Sequence, residues 1–148
     1  MNKLILFIIC ALSFSLNSCD KEDIPDVKPK TELLTQSSWK FKAATANGSD
    51  VSNQDPPFAA CRKDNIITFV INGTGTVSEG ATSCSPAENA SFTWNFTSDE
   101  SMIHFSTALY PNAPNDVTVV SLKETELVIS FPYTVGSITL TVIVTFQH

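Results

Sequence analysis

Few side chains in this sequence are suited to chemistry, and the four thiols come first: Cys10, Cys19, Cys61 and Cys84. A thiol can take an acyl group, close a disulfide or hold a metal, and its surroundings decide which. Cys10 sits inside the apolar run Leu4 to Leu12, whereas Cys19 follows Leu16-Asn17-Ser18 and precedes the charged stretch Asp20 to Lys30. Cys61 and Cys84 lie far downstream with no second cysteine pair and no histidine near them. A tetrahedral zinc site needs four such ligands, so a metal is not expected. The two histidines do not assemble a base either. His104 lies between Ile103 and Phe105 and His148 ends the chain, positions that suit structural roles. No Gly-x-Ser-x-Gly elbow is present. Asp99-Glu100 and Lys123-Glu124-Thr125-Glu126 read as turn residues whose carboxylates solvate hairpins. The sequence therefore points away from an enzyme, and no cofactor is expected.

The segment around Cys19 points to export. Lys3, a short apolar core and small residues ahead of Cys19 make a signal peptide over residues 1–18. The apolar run falls short of the about 20 residues that a spanning helix requires. Leu16-Asn17-Ser18-Cys19 resembles the bacterial lipobox, which implies cleavage before Cys19 and acylation of its thiol. Asn17 is a less usual second residue in that pattern. Acyl chains embed at about 0.8 kcal/mol per buried methylene, enough to hold the protein on a membrane without an apolar patch on its body. Residues 19–31, with Pro25 and Pro29 among charges, form a lipidated acidic tether with little to bury. Asp20-Lys21-Glu22-Asp23 resembles the surface-export signal of Bacteroidetes-type lipoproteins. The expected location is the bacterial outer membrane, exposed at the cell surface or facing the periplasm.

The formal net charge is −6, and cleavage removes one cation, Lys3, and no acid. An acidic chain with scattered lysines lacks the clustered basic face that nucleic acid needs, so no nucleic-acid partner is expected. Export also places Cys61 and Cys84 in an oxidising compartment as an even pair, and a disulfide follows.

The body that carries these residues reads as β throughout. Thr31 to Ser38 suits one helical turn capped by Thr31. The expected strands run over 39–43, 65–71, 74–78, 90–97, 101–107, 116–122, 125–131 and 137–147. Residues 47–57 and 80–88 read as loops, and Pro132 to Gly136 as a turn. Asn72-Gly73 is a strong hairpin signal. Phe92, Trp94 and Phe96 alternate with Thr93, Asn95 and Thr97, the period of a half-buried strand. Short connections without helical periods require antiparallel pairing. The expected fold is all-β: an eight-stranded antiparallel up-and-down barrel over residues 32–148, with a β-sandwich as the alternative.

Ser38-Trp39-Lys40, Cys61-Arg62-Lys63-Asp64-Asn65, Phe69, Asn72-Gly73-Thr74, Cys84, Trp94 and the hairpin Leu122 to Leu127 resemble the lipocalin-like domains of Bacteroidetes lipoproteins. Ser37-Ser38-Trp39 keeps the tryptophan of the lipocalin Gly-x-Trp start but not its glycine. The resemblance implies a calyx and a small apolar or amphiphilic ligand. Phe69, Phe92, Trp94 and Phe96 are the candidate pocket lining, although rings in an eight-stranded barrel also suffice to fill it. The alternative is a non-catalytic module that contacts a protein or glycan through its loops.

Overall fold

The computed structural model describes residues 28–148; the leader, Cys10, Cys19 and most of the acidic tether lie outside the described residues. A short helix, α1 (Lys30–Thr35), leads into nine strands: β1 (Trp39–Ala46), β2 (Ser49–Asp50), β3 (Ile66–Phe69), β4 (Thr74–Ser78), β5 (Ala90–Thr97), β6 (Met102–Phe105), β7 (Asp116–Leu122), β8 (Glu126–Val135) and β9 (Ile138–Gln147). Consecutive strands from β3 to β9 pair antiparallel, and β1 pairs with both β3 and β9. Eight strands thus form a closed ring, and β2 hangs from the end of β1 outside it. Closure leaves no bare edge in the ring, which separates the barrel from the sandwich.

Inward residues follow the alternation of each strand. Phe92 and Trp94 of β5, Ile103 and Phe105 of β6, and Leu127, Ile129 and Phe131 of β8 are buried. Val142, Val144 and Phe146 of β9 complete that face, while Ile138 lies past the core and is exposed. On β1 the parity switches. A bulge between Phe41 and Ala43 leaves Trp39 and Phe41 inward below it and Ala44 and Ala46 inward above it. One extra residue re-aims every later side chain. The alanines make β1 thin in its upper half.

Three expectations about turns change. Asn47-Gly48 is a second two-residue hairpin turn, with φ of 50° and 80°, so residues 47–57 open with a turn and strand β2 before the loop. Both residues accept positive φ, which that tight turn requires. At Asn72-Gly73 only Gly73 takes positive φ; the Asn72 carboxamide instead accepts hydrogen bonds from the Thr74 N–H and hydroxyl. Pro132 does not turn the chain. It pairs with Thr141 inside β8, and the turn is Gly136-Ser137. The β7 ladder ends at Thr118–Ser130, so Pro132 lies beyond the rungs where a missing N–H would break the sheet.

Helix α1 closes the lower end. It follows Pro29 without a side-chain cap, so Thr31 is not the cap; its carbonyl instead accepts from the Thr35 hydroxyl. Leu34 is fully buried, and its carbonyl accepts from the Trp39 indole at 2.9 Å. Lys28 pairs with Glu124 at 2.8 Å, Gln36 donates to the Glu124 carbonyl, and Lys30 donates to the Glu100 carbonyl. The helix is thereby fastened to two turns at the barrel's base.

Candidate functional site

The two ends of the barrel differ. At the base, Trp39, Phe69, Phe105, Leu127, Ile129 and Phe146 bound a gap without room for a water molecule. Edge-to-face contacts bind the aromatic residues there: Phe69 meets Trp94 at 5.5 Å and Phe92 at 5.6 Å, and Phe92 meets Phe105 at 5.5 Å. Phe92 lies over Gly75, where an added Cβ would come within 2.4 Å of its ring. The Trp94 indole donates to the Thr74 carbonyl, and Phe96 is half-buried against Trp94. The four residues proposed from sequence as pocket lining thus belong chiefly to a packed interior. Ring size and the narrow bore of eight strands account for that.

The mouth is built by three loops: 51–65, carrying a 3-10 turn (Ala60–Arg62), 79–89 and 106–115. Loop 51–65 folds over the opening and drops Phe58, only 2% exposed, into the bore. Phe58 lies between Phe41 at 5.3 Å and Tyr110 at 5.1 Å, and Tyr110 in turn stacks on Phe131 at 6.3 Å. Burial pushes the Tyr110 phenol well above the ordinary tyrosine range, so this ring is neutral at any physiological pH.

Cys61 and Cys84 are joined, with Cα atoms 5.1 Å apart, and tie the lid loop to loop 79–89. Beside the disulfide, Arg62 donates to both carboxylate oxygens of Glu88, at 2.6 and 2.5 Å, and to the Pro57 carbonyl at 3.3 Å. Hydrogen bonding to Glu88 raises the guanidinium pKa against the opposing effect of burial. Glu79 braces the same loop, accepting from the backbone N–H groups of Glu88 and Cys84, and these bonds lower its pKa. Gly80 permits the contact with Asp64, since a Cβ there would meet the Asp64 carbonyl at 2.3 Å.

Phe58 and Tyr110 stand between two cavities. The smaller, about 270 Å³, is lined by Phe41, Arg62, Asn65, Val77, Glu88 and Leu109, among others. Asn65 is buried, and its side-chain oxygen has no hydrogen-bond partner. The larger, about 470 Å³, lies between the β1–β2 hairpin, the lid and the β8–β9 hairpin. Ala46, Val51, Phe58, Tyr133, Leu140 and Val142 supply its apolar wall, and Asp55 its one charged group. The alanine half of β1 leaves this space open.

The histidines lie elsewhere. His104 pairs with Asp116 at 2.8 Å on the exposed outer face, and His148 packs on Trp39 at 4.0 Å and contacts the Ser38 carbonyl. Among the described residues no group of three or more His, Cys, Asp or Glu could hold a metal ion. Sequence reading gave no site role to Phe58 or Glu88, and Arg62 entered it only within the motif Cys61-Arg62-Lys63-Asp64-Asn65. A lone large apolar residue at the end of a polar, proline-rich loop was the available signal for Phe58.

A family model described as "Lipocalin-like domain" matches residues 36–129. No curated protein matches the chain. Among solved structures, one reported as "The Siderocalin Ex-FABP functions through dual ligand specificities" aligns at 20% identity with a TM-score of 0.44. The alignment covers 78% of this chain and 73% of that one.

Proposed function

Because the chain belongs to the lipocalin-like domain family, we propose that it is an exported, lipid-anchored binding protein whose barrel mouth holds a small apolar or amphiphilic molecule. The observation that carries this reading is the asymmetry of the bore: solid at the base, hollow at the mouth. The larger cavity falls within the range of about 300–1,000 Å³ usual for small-molecule sites, and its wall is mostly apolar with a few polar groups. Binding, not catalysis, is the role this reading assigns. Leu140→Trp is the direct test, because Leu140 lines only the larger of the two cavities. Displacement of a neutral hydrophobic dye by a lipid library should identify ligands for the wild type, with affinity falling about tenfold or more in the variant. Undiminished binding after the cavity is filled would sink the proposal.

The anchor is part of the same reading, of the type found on Bacteroidetes-type lipoproteins in the bacterial outer membrane. It is supported by the leader, by Leu16-Asn17-Ser18-Cys19, and by the point where the chain joins the body. Lys28 pairs with Glu124 at the closed base, so the described chain enters the body at the end opposite the mouth. Cys19→Ser should abolish labelling by radioactive palmitate in the bacterial host and release the protein from membranes; a labelled Cys19→Ser protein would refute the anchor.

A second reading, docking of a protein or glycan by the mouth loops, is favoured by one observation. Val135 and Ile138 flank the β8–β9 turn and are 60% and 63% exposed beside the larger cavity.

A further inference from the structure

The charges at the mouth select among ligands, and this inference rests on the proposed binding role. Asp50, Asp55, Asp64, Glu79 and Glu88 stand on β2 and the two longer mouth loops, against two cations, Arg62 and Lys63. Loop 106–115 and residues 134–139 carry no charge at all. A site of that balance repels anions and gathers cations.

The close contacts sharpen the point. Arg62 is the one guanidinium on these loops, and Glu88 already occupies its fork with two hydrogen bonds. That fork is therefore not free to receive a ligand carboxylate. Asp55 stands 4.0 Å from Nη1 of the same arginine, so Asp55, Arg62 and Glu88 together carry one negative charge more than they neutralise. That surplus falls on the larger cavity, where Asp55 is the sole charged lining group. Phe58 and Tyr133 line the same space, and aromatic faces attract ammonium groups as well as apolar carbon.

We infer that the larger cavity takes an apolar molecule bearing a cationic ammonium group, held by Asp55 at the rim, and discriminates against the corresponding carboxylate. The apolar body packs against Val51, Leu140 and Val142, and the ammonium sits near Asp55 and the rings.

The test is a matched series that differs only in its head: 4-phenylbutylamine, 4-phenylbutanol and 4-phenylbutanoate, titrated calorimetrically at neutral pH and low salt. The protein is the mature chain with Cys19→Ser, so that no acyl chain competes. The amine should bind about tenfold more tightly than the carboxylate, with the alcohol between them. Asp55→Asn should bring the amine down to the level of the alcohol and leave the alcohol unchanged. Because the Asp55 side chain is exposed, this variant keeps the packed core intact. Equal binding of all three, or preference for the carboxylate, overturns the charge selection while leaving ligand binding in place. Binding of none, the alcohol included, overturns both.

Discussion

Trp39→Ala should lower folding stability by about 3–5 kcal/mol, a drop of well over 10 °C in Tm for a body of this size. The residue is fully buried, and it does three jobs at once. Its ring fills the base together with Phe69, Phe105 and Phe146. Its indole N–H satisfies the carbonyl of Leu34, one of the acceptors left free at the end of α1. Its backbone forms one of the two rungs that close β1 onto β3, Trp39–Ile67 and Lys40–Ile66. Alanine keeps the rung but leaves a void and an unpaired carbonyl. Trp39→Phe separates these effects, since most of the volume stays and only the hydrogen bond goes, at a cost of about 1–3 kcal/mol. Urea unfolding followed by circular dichroism measures both. An alanine variant within 1 kcal/mol of wild type would mean that the base is not the keystone of the barrel.

Loss of the Cys61–Cys84 bridge should cost about 3 kcal/mol, the chain-entropy value for a sequence separation of 23. Both cysteines lie in mouth loops, not in strands, so the double variant Cys61→Ser/Cys84→Ser keeps the ring of eight strands. What loosens is the lid. With the covalent tie gone, the Arg62–Glu88 pair and the hydrogen bond from the Thr82 N–H to the Asp64 carboxylate are left to hold loop 51–65 against loop 79–89. Hydrogen exchange should therefore rise in residues 51–65 and 79–89 and stay low in β8 and β9. Reduced wild type should match the variant. Equal stability with and without the bridge, or exchange rising across the whole barrel, would contradict this account.

Much of the frame was legible because it is encoded locally. The strands from Ala90 to Thr97 and from Ser137 to Gln147 announce themselves by alternation, since a barrel wall has one wet face and one dry face. The disulfide was legible from the cysteine count together with the compartment expected for the chain. The overlooked β2 illustrates an uneven reading of one signal: Asn47-Gly48 carries the same dipeptide as Asn72-Gly73, but the polar residues after it read as loop. Pro132 misled for a different reason. Proline stops a ladder only where its missing N–H has a partner to lose, and that depends on how far β7 extends alongside.

The candidate site was less legible. Phe69, Phe92, Trp94 and Phe96 advertise apolar area but not whether that area encloses space, because packing density depends on how side chains from different strands meet. The bulge on β1 turns Ala44 and Ala46 inward only through pairing with β9, more than ninety residues away in sequence. Phe58 enters the bore on a loop that the disulfide and the Arg62–Glu88 pair tie to loop 79–89, contacts between segments distant in sequence.

By itself, then, the sequence determined a thiol pair and eight β segments whose dry faces must enclose something. These are properties of neighbouring residues, readable from spacing and polarity. Tertiary structure alone decided which end of the barrel is solid and which is hollow, and which carboxylate, Asp55, faces the hollow. Those outcomes depend on contacts between residues distant in sequence, where a single bulge or one loop laid across the mouth redistributes the same side chains between core and cavity.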